Sequence, residues 1–159
     1  MLSQINSPLM PLEQNATAPL FQTVGILLSL YALHWQYNSH SISQLLERVL
    51  PPLNHQQAKL FLTQDQTPYG FASWIEVPEA IHQQLLQDAT WGFAKPKLTE
   101  LLNSTSKSDQ ASYLWFIDLL TPFSHALAAT ADLKQQLSCH ESAWALNINQ
   151  GQHGPRQVW

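Results

Sequence analysis

The sequence predicts an α/β fold: one layer-type domain in which helices pack on a single, mostly antiparallel sheet. Three observations predict it. Two runs with a period of two, 57–64 and 69–77, flank a turn segment and read as a hairpin. Apolar residues at helical spacing precede and follow that hairpin. A strongly apolar stretch, Tyr113-Leu114-Trp115-Phe116-Ile117-Asp118-Leu119-Leu120, reads as a buried strand that ends on an acidic residue and then turns. The order helix, helix, hairpin, helix, strand, helix, strand suits helices layered on one sheet.

Taken in order, residues 1–18 carry two prolines and scattered Ser, Asn and Gln, as expected of a loose N-terminal arm. From Pro19, Leu20, Val24, Leu27, Leu28 and Tyr31 keep helical spacing. The polar string Trp35–Ser41 ends that helix, and a second spans Ile42–Leu50 with Leu45, Leu46 and Val49 inward. Pro51-Pro52 is expected to stop it. Asp65-Gln66-Thr67-Pro68 supplies the turn chemistry of the hairpin. Pro78–Asp88 reads as a helix with Ile81, Leu85 and Leu86 inward, and Ala89–Gln110 gives no clear pattern. The strand at 111–120 follows, then a helix near Phe123–Leu137 and a strand near Glu141–Asn149. Gly151–Trp159 is expected to be a tail, leaving residues 19–149 as the domain and 150–159 outside it.

Composition narrows the function. A chain of 159 residues buries a real core. Only 11% of residues are charged, with seven Lys and Arg and a net charge of -4, which argues against nucleic-acid binding. The one cysteine, Cys139, excludes an intramolecular disulfide and suits a reducing compartment. The longest apolar run, Val24–Leu33, is too short to span a bilayer, so no stable membrane insertion is expected. No Lys or Arg precedes Arg48, so a charged secretory n-region is lacking and a cytoplasmic location is expected.

Asp118 draws attention within the apolar strand. Strict alternation sets it in a row with Leu114 and Phe116, opposite Tyr113, Trp115 and Ile117. A carboxylate in such a row needs a partner. Thr121-Pro122 resembles an N-cap with proline in the first turn, which leaves Asp118 without capping duty. On chemistry alone, a strand-end Asp bonded to neighbouring backbone is the ordinary reading.

The segment Trp115-Phe116-Ile117-Asp118-Leu119-Leu120-Thr121-Pro122-Phe123 resembles the signature of the RTX toxin-activating lysine acyltransferases, the hemolysin-activating family, which reads roughly W-F-I-D-W/F-I-A-P-F-G. A second block agrees in order: Val49-Leu50-Pro51-Pro52-Leu53, Gln57 to Phe61, then Tyr69-Gly70-Phe71-Ala72-Ser73-Trp74. The resemblance covers roughly residues 20–138. It implies a fold resembling the N-acetyltransferase superfamily. It also implies transfer of a fatty acyl group from acyl-carrier protein to internal lysines of an RTX protoxin, activating it for cytolysis. No cofactor beyond the acyl-carrier donor is implied, and a homodimer is what the family suggests.

Lysine is almost wholly protonated at neutral pH, so attack on a thioester needs a base. The family uses an Asp in the signature strand, matched by Asp118, and a histidine between its first two helices. Counting back from Val49 without gaps lands on Tyr37, with His34 and His40 each three residues away. His34-Trp35-Gln36-Tyr37 resembles the family's H-R/K-x-W/Y pattern, with a loop insertion after it, whereas His40 requires a shortened loop. Both histidines therefore stand as catalytic candidates beside Asp118. His55, His82, His125, His140 and His153 match no motif. Ser124 stands where the family has glycine and Ile75 where it has alanine. Trp74, Trp91 and Trp115 read as core or groove wall. With Tyr37 at the ungapped position and few cations to dock an acidic carrier, the alternative is an inactive relative acting as a toxin- or carrier-binding accessory protein.

Overall fold

A computed structural model describes residues 17–35, 37–87, 100–101, 112–149 and 152–159. Trp91, the unpatterned segment 89–99 and 102–110, and residues 1–16 of the expected arm lie outside the described residues.

Two helices lead, α1 (Thr17–Leu33) and α2 (Ile42–Asn54), followed by strands β1 (Ala58–Leu62) and β2 (Pro68–Pro78). Helix α3 (Glu79–Gln87), strand β3 (Ser112–Leu120), helix α4 (Ala126–Gln136) and strands β4 (Ala143–Asn149) and β5 (Gln152–Gln157) complete the described elements. The sheet runs β1-β2-β3-β4-β5. All its pairings are antiparallel except β3 with β4. The expected α/β, mostly antiparallel sheet with packed helices is what the chain forms.

Each face of the sheet has its own cover. Leu60, Phe71 and Leu120 pack with Leu27, Tyr31, Leu45 and Val49 of α1 and α2, and Ile75, Trp115 and Ile117 pack with Leu85 of α3. On the other face, Phe61, Trp74, Leu114 and Phe116 meet Ala129 and Leu133 of α4. Phe71, Leu114, Trp115 and Leu120 are fully or almost fully buried, and burial of each such side chain contributes about 1.5–3 kcal/mol. Buried Lys59 also reaches across from β1 to an ion pair with Asp132 of α4.

Several local expectations are revised. Helix α2 runs through Pro51 and Pro52 to Asn54. The prolines forgo only their own N–H groups, and their carbonyls still accept from His55 N at 3.2 Å and Gln57 N at 2.9 Å. Its start is fixed by Ser41, which forms a reciprocal capping box with Gln44. Thr121-Pro122 does not cap α4. Ser124 N bonds Thr121 O at 3.2 Å to close a turn, Ser124 takes φ 66°, and the helix begins at Ala126. The stretch read as a tail holds β5, paired with β4 from Asn149↔Gln152 to Trp144↔Gln157.

The largest revision concerns β3. Ser73 pairs with Asp118 but Trp74 pairs with Phe116, so Ile117 is an extra residue and β3 carries a bulge there. The bulge shifts the alternation by one. Asp118 leaves the Leu114–Phe116 row and joins Leu120 on the α1/α2 face. Gly70 permits the close approach of β2 at this end, since a Cβ there would lie 2.8 Å from Leu120 O. No described helix is long and apolar enough to cross a membrane.

Candidate active site

Asp118 is buried, with 3% of its surface exposed. Its partners come from three different parts of the chain. Tyr31, near the end of α1, donates to Oδ2 at 2.5 Å. Tyr37, from the α1–α2 connection, donates to Oδ1 at 2.7 Å. Arg48 of α2 places Nε 2.9 Å from Oδ1 and 2.8 Å from Oδ2. Its Nη2 donates to the carbonyl of Ile117 at 2.9 Å. Arg48 therefore grips both the re-aimed carboxylate and the bulge residue that re-aims it.

The local backbone explains how these groups converge. Tyr31 shares the buried face of α1 with Val24, Leu27 and Leu30. Past α1, His34 N bonds Tyr31 O at 3.0 Å, Tyr37 N bonds His34 O at 2.9 Å and His40 N bonds Tyr37 O at 2.9 Å. These successive turns drop Tyr37 into the site between the two histidines. Its ring centroid lies 5.6 Å from that of His34 and 5.4 Å from that of His40. It meets Tyr31 edge-on at 5.1 Å and the Arg48 guanidinium at 5.6 Å.

The electrostatics follow from burial and from the central carboxylate. Burial and the Asp118 charge push the hydroxyl pKa values of Tyr31 and Tyr37 above the ordinary phenol value. Both phenols keep their protons at neutral pH. Burial opposes the Arg48 charge, but Asp118 outweighs it and holds the guanidinium above its usual pKa. His34 is lowered by burial, with Asp118 acting in the opposite sense, so its imidazole is neutral near pH 7.

A cavity of about 380 Å³ opens beside this cluster, lined among others by Tyr37, Arg48, Phe116, Asp118, Leu127 and Arg156. It occupies the gap between β3 and β4. Those strands pair only over Leu114–Phe116 and Ala143–Ala145, although β3 runs on to Leu120 and β4 to Asn149. Ile117 and Leu119 of β3 and Ala145 of β4 line it. Its walls are mostly aliphatic and aromatic, and its charged groups are Asp118 and two guanidiniums. Among the described residues, no three His, Cys, Asp or Glu side chains gather as a metal site.

Of the residues singled out from sequence, the structure gathers Asp118 and Tyr37 directly and sets His34 and His40 against the Tyr37 ring. His34 is half-buried and His40 exposed. Trp74 and Trp115 are buried in the core rather than at the cavity. Sequence reasoning passed over Tyr31 and Arg48. A signal for Arg48 did exist: it sits three after Leu45 and four before Pro52, on the buried face of α2. A charge there needs a buried partner. Tyr31 gave less warning, because an aromatic at helical spacing reads as core.

The model of the RTX toxin acyltransferase family matches residues 16–158. No curated protein matches the chain.

Proposed function

The chain belongs to the RTX toxin acyltransferase family, and from that premise we propose that it transfers a fatty acyl group from acyl-carrier protein to internal lysines of an RTX protoxin. The observation that carries this reading is the apolar cavity ending on the Arg48–Asp118 pair. An acyl chain needs an apolar slot, worth about 0.8 kcal/mol per buried methylene, and its reacting end needs polar groups.

In this reading His34 is the base. The amine nitrogen attacks the thioester carbon, the C–S bond breaks, and the proton lost by the amine passes to the departing sulfur by way of the imidazole. A neutral His34 accepts that proton, whereas Tyr37 holds its own and Asp118 is committed to Arg48 and two phenols. His40, on the other side of Tyr37, is the second candidate for the same role. Asp118 acts as a positioning residue that fixes Tyr37, and with it the turn carrying both histidines.

One observation favours a different reading. The ungapped histidine position holds Tyr37, and its hydroxyl is bonded to Asp118. A protein built this way binds toxin or carrier as an accessory without transferring the acyl group. Purified protein, acyl-acyl-carrier protein and toxin separate the two readings. Toxin-dependent release of the carrier thiol supports transfer, and toxin binding without thiol release supports the accessory role.

A further inference from the structure

The cavity's charge runs against that of the chain. The protein carries a net charge of -4, yet the cavity lining sets Arg48 and Arg156 against one carboxylate, Asp118. Arg48 is the better fixed of the two. Its side chain is only 22% exposed, and it is held through Nε by Asp118 and through Nη2 by the Ile117 carbonyl. Arg156 is exposed on β5. Asp118, the Ile117 carbonyl and the Tyr37 hydroxyl, which also accepts from the guanidinium, engage three of the five N–H hydrogens of Arg48 and leave two for a ligand. Two phenol hydrogens share the Asp118 oxygens with Arg48, so the carboxylate is partly neutralised from elsewhere.

We infer that Arg48 is the anion-binding end of the cavity, placing its remaining N–H groups on the carbonyl oxygen of the acyl group where negative charge develops. This inference rests on acyl transfer as the function of the site. As the amine forms its bond to the carbonyl carbon, the C=O electron pair moves onto oxygen and is stabilised by the guanidinium. When the C–S bond breaks, that pair returns to the carbonyl and the sulfur leaves as the thiol, taking the amine's proton from the imidazole. A donor already pinned by Asp118 and the bulge needs no reorganisation as the charge appears, which is the condition under which such donors are most effective. The apolar walls hold the chain, and Arg48 fixes which end of it meets the nucleophile.

Calorimetric titration of the full chain with decanoate, below its micellar concentration, and with decanol tests this without donor or toxin. Decanoate is expected to bind about tenfold more tightly than decanol, as for a hydrogen bond to a charged group. The preference should vanish in Arg48→Gln and survive in Arg156→Ala. Equal affinity for the two ligands, no binding of either, or a preference that follows Arg156 instead overturns the assignment. Arg48→Lys keeps a charge opposite Asp118 and serves if the Gln variant does not fold. If neither variant folds, protection of wild-type Arg48 from phenylglyoxal by decanoate but not decanol decides it. Toxin acylation is read separately, so a protein that binds decanoate through Arg48 yet leaves toxin unmodified overturns the acyl-transfer reading and not the anion site.

Discussion

Tyr37 donates its phenolic hydrogen to Asp118 Oδ1 at 2.7 Å, and that bond ties the α1–α2 connection to the end of β3. Substitution at either end of that bond disturbs the protein.

Asp118→Asn keeps the size of the side chain but leaves the Arg48 guanidinium without its counter-charge. Loss of one partner from such a pair costs on the order of 3 kcal/mol, less here in proportion to the 22% exposure of Arg48. Tyr37→Phe removes a single hydrogen bond to a charged acceptor, about 1.5–3 kcal/mol. Denaturant midpoints should therefore fall for both, by comparable amounts. An Asp118→Asn protein as stable as wild type contradicts the hub role of the carboxylate.

Ser124 occupies the left-handed region with φ 66°, at the position where the family signature has glycine. A side chain there strains the backbone, and Ser124→Gly should raise stability by about 1 kcal/mol after the extra freedom of the unfolded chain is counted. A lower thermal midpoint for the glycine variant shows that the serine makes up for the strain elsewhere.

His82 gives stability a pH dependence. Trp115 Nε1 donates to its Nδ1 at 3.0 Å, so that nitrogen must be unprotonated, and the ring stacks on Tyr113 at 4.0 Å. Burial lowers the His82 pKa, outweighing the Glu79 charge, which acts in the other sense. The unfolded chain therefore takes up the proton first, at about pH 6.5. The contribution is complete above that pH and is lost as pH falls through the lower folded value. Thermal midpoints should drop between pH 7.5 and 5, and His82→Gln, whose amide oxygen still accepts from Trp115, should drop less. Parallel curves for the two proteins contradict the assignment.

Much of this fold was legible. The hairpin showed in its alternation around Asp65–Pro68, and α1, α2 and α3 showed in their apolar spacing. β5 was not legible, because Gln152–Gln157 is polar and contains proline, and its identity as a strand comes from pairing with β4. The bulge at Ile117 was equally hidden. Nothing in Trp115-Phe116-Ile117-Asp118 marks the extra residue, which is fixed by the register against β2 and by Arg48 on the Ile117 carbonyl. Asp118 was found and its face was misread for that reason alone. The chemistry at Tyr37 needed coordinates too, since a count along the chain gives a position and not a hydrogen bond.

The histidine assignment makes its own demand. His34→Ala should cut the acylation rate at least about a hundredfold, the lower end of what a general base contributes, while His40→Ala leaves it near wild type. Reversed effects move the base to His40. Unchanged rates in both variants remove histidine from the mechanism.

The most direct measurement of the central claim is the intact mass of an RTX protoxin co-expressed with this protein, set against toxin expressed alone. Acyl transfer is expected to add discrete fatty-acyl increments to the toxin, located on internal lysines by peptide mapping and absent with His34→Ala. A toxin of unchanged mass that still co-purifies with the protein contradicts the transferase account and leaves an accessory protein in its place.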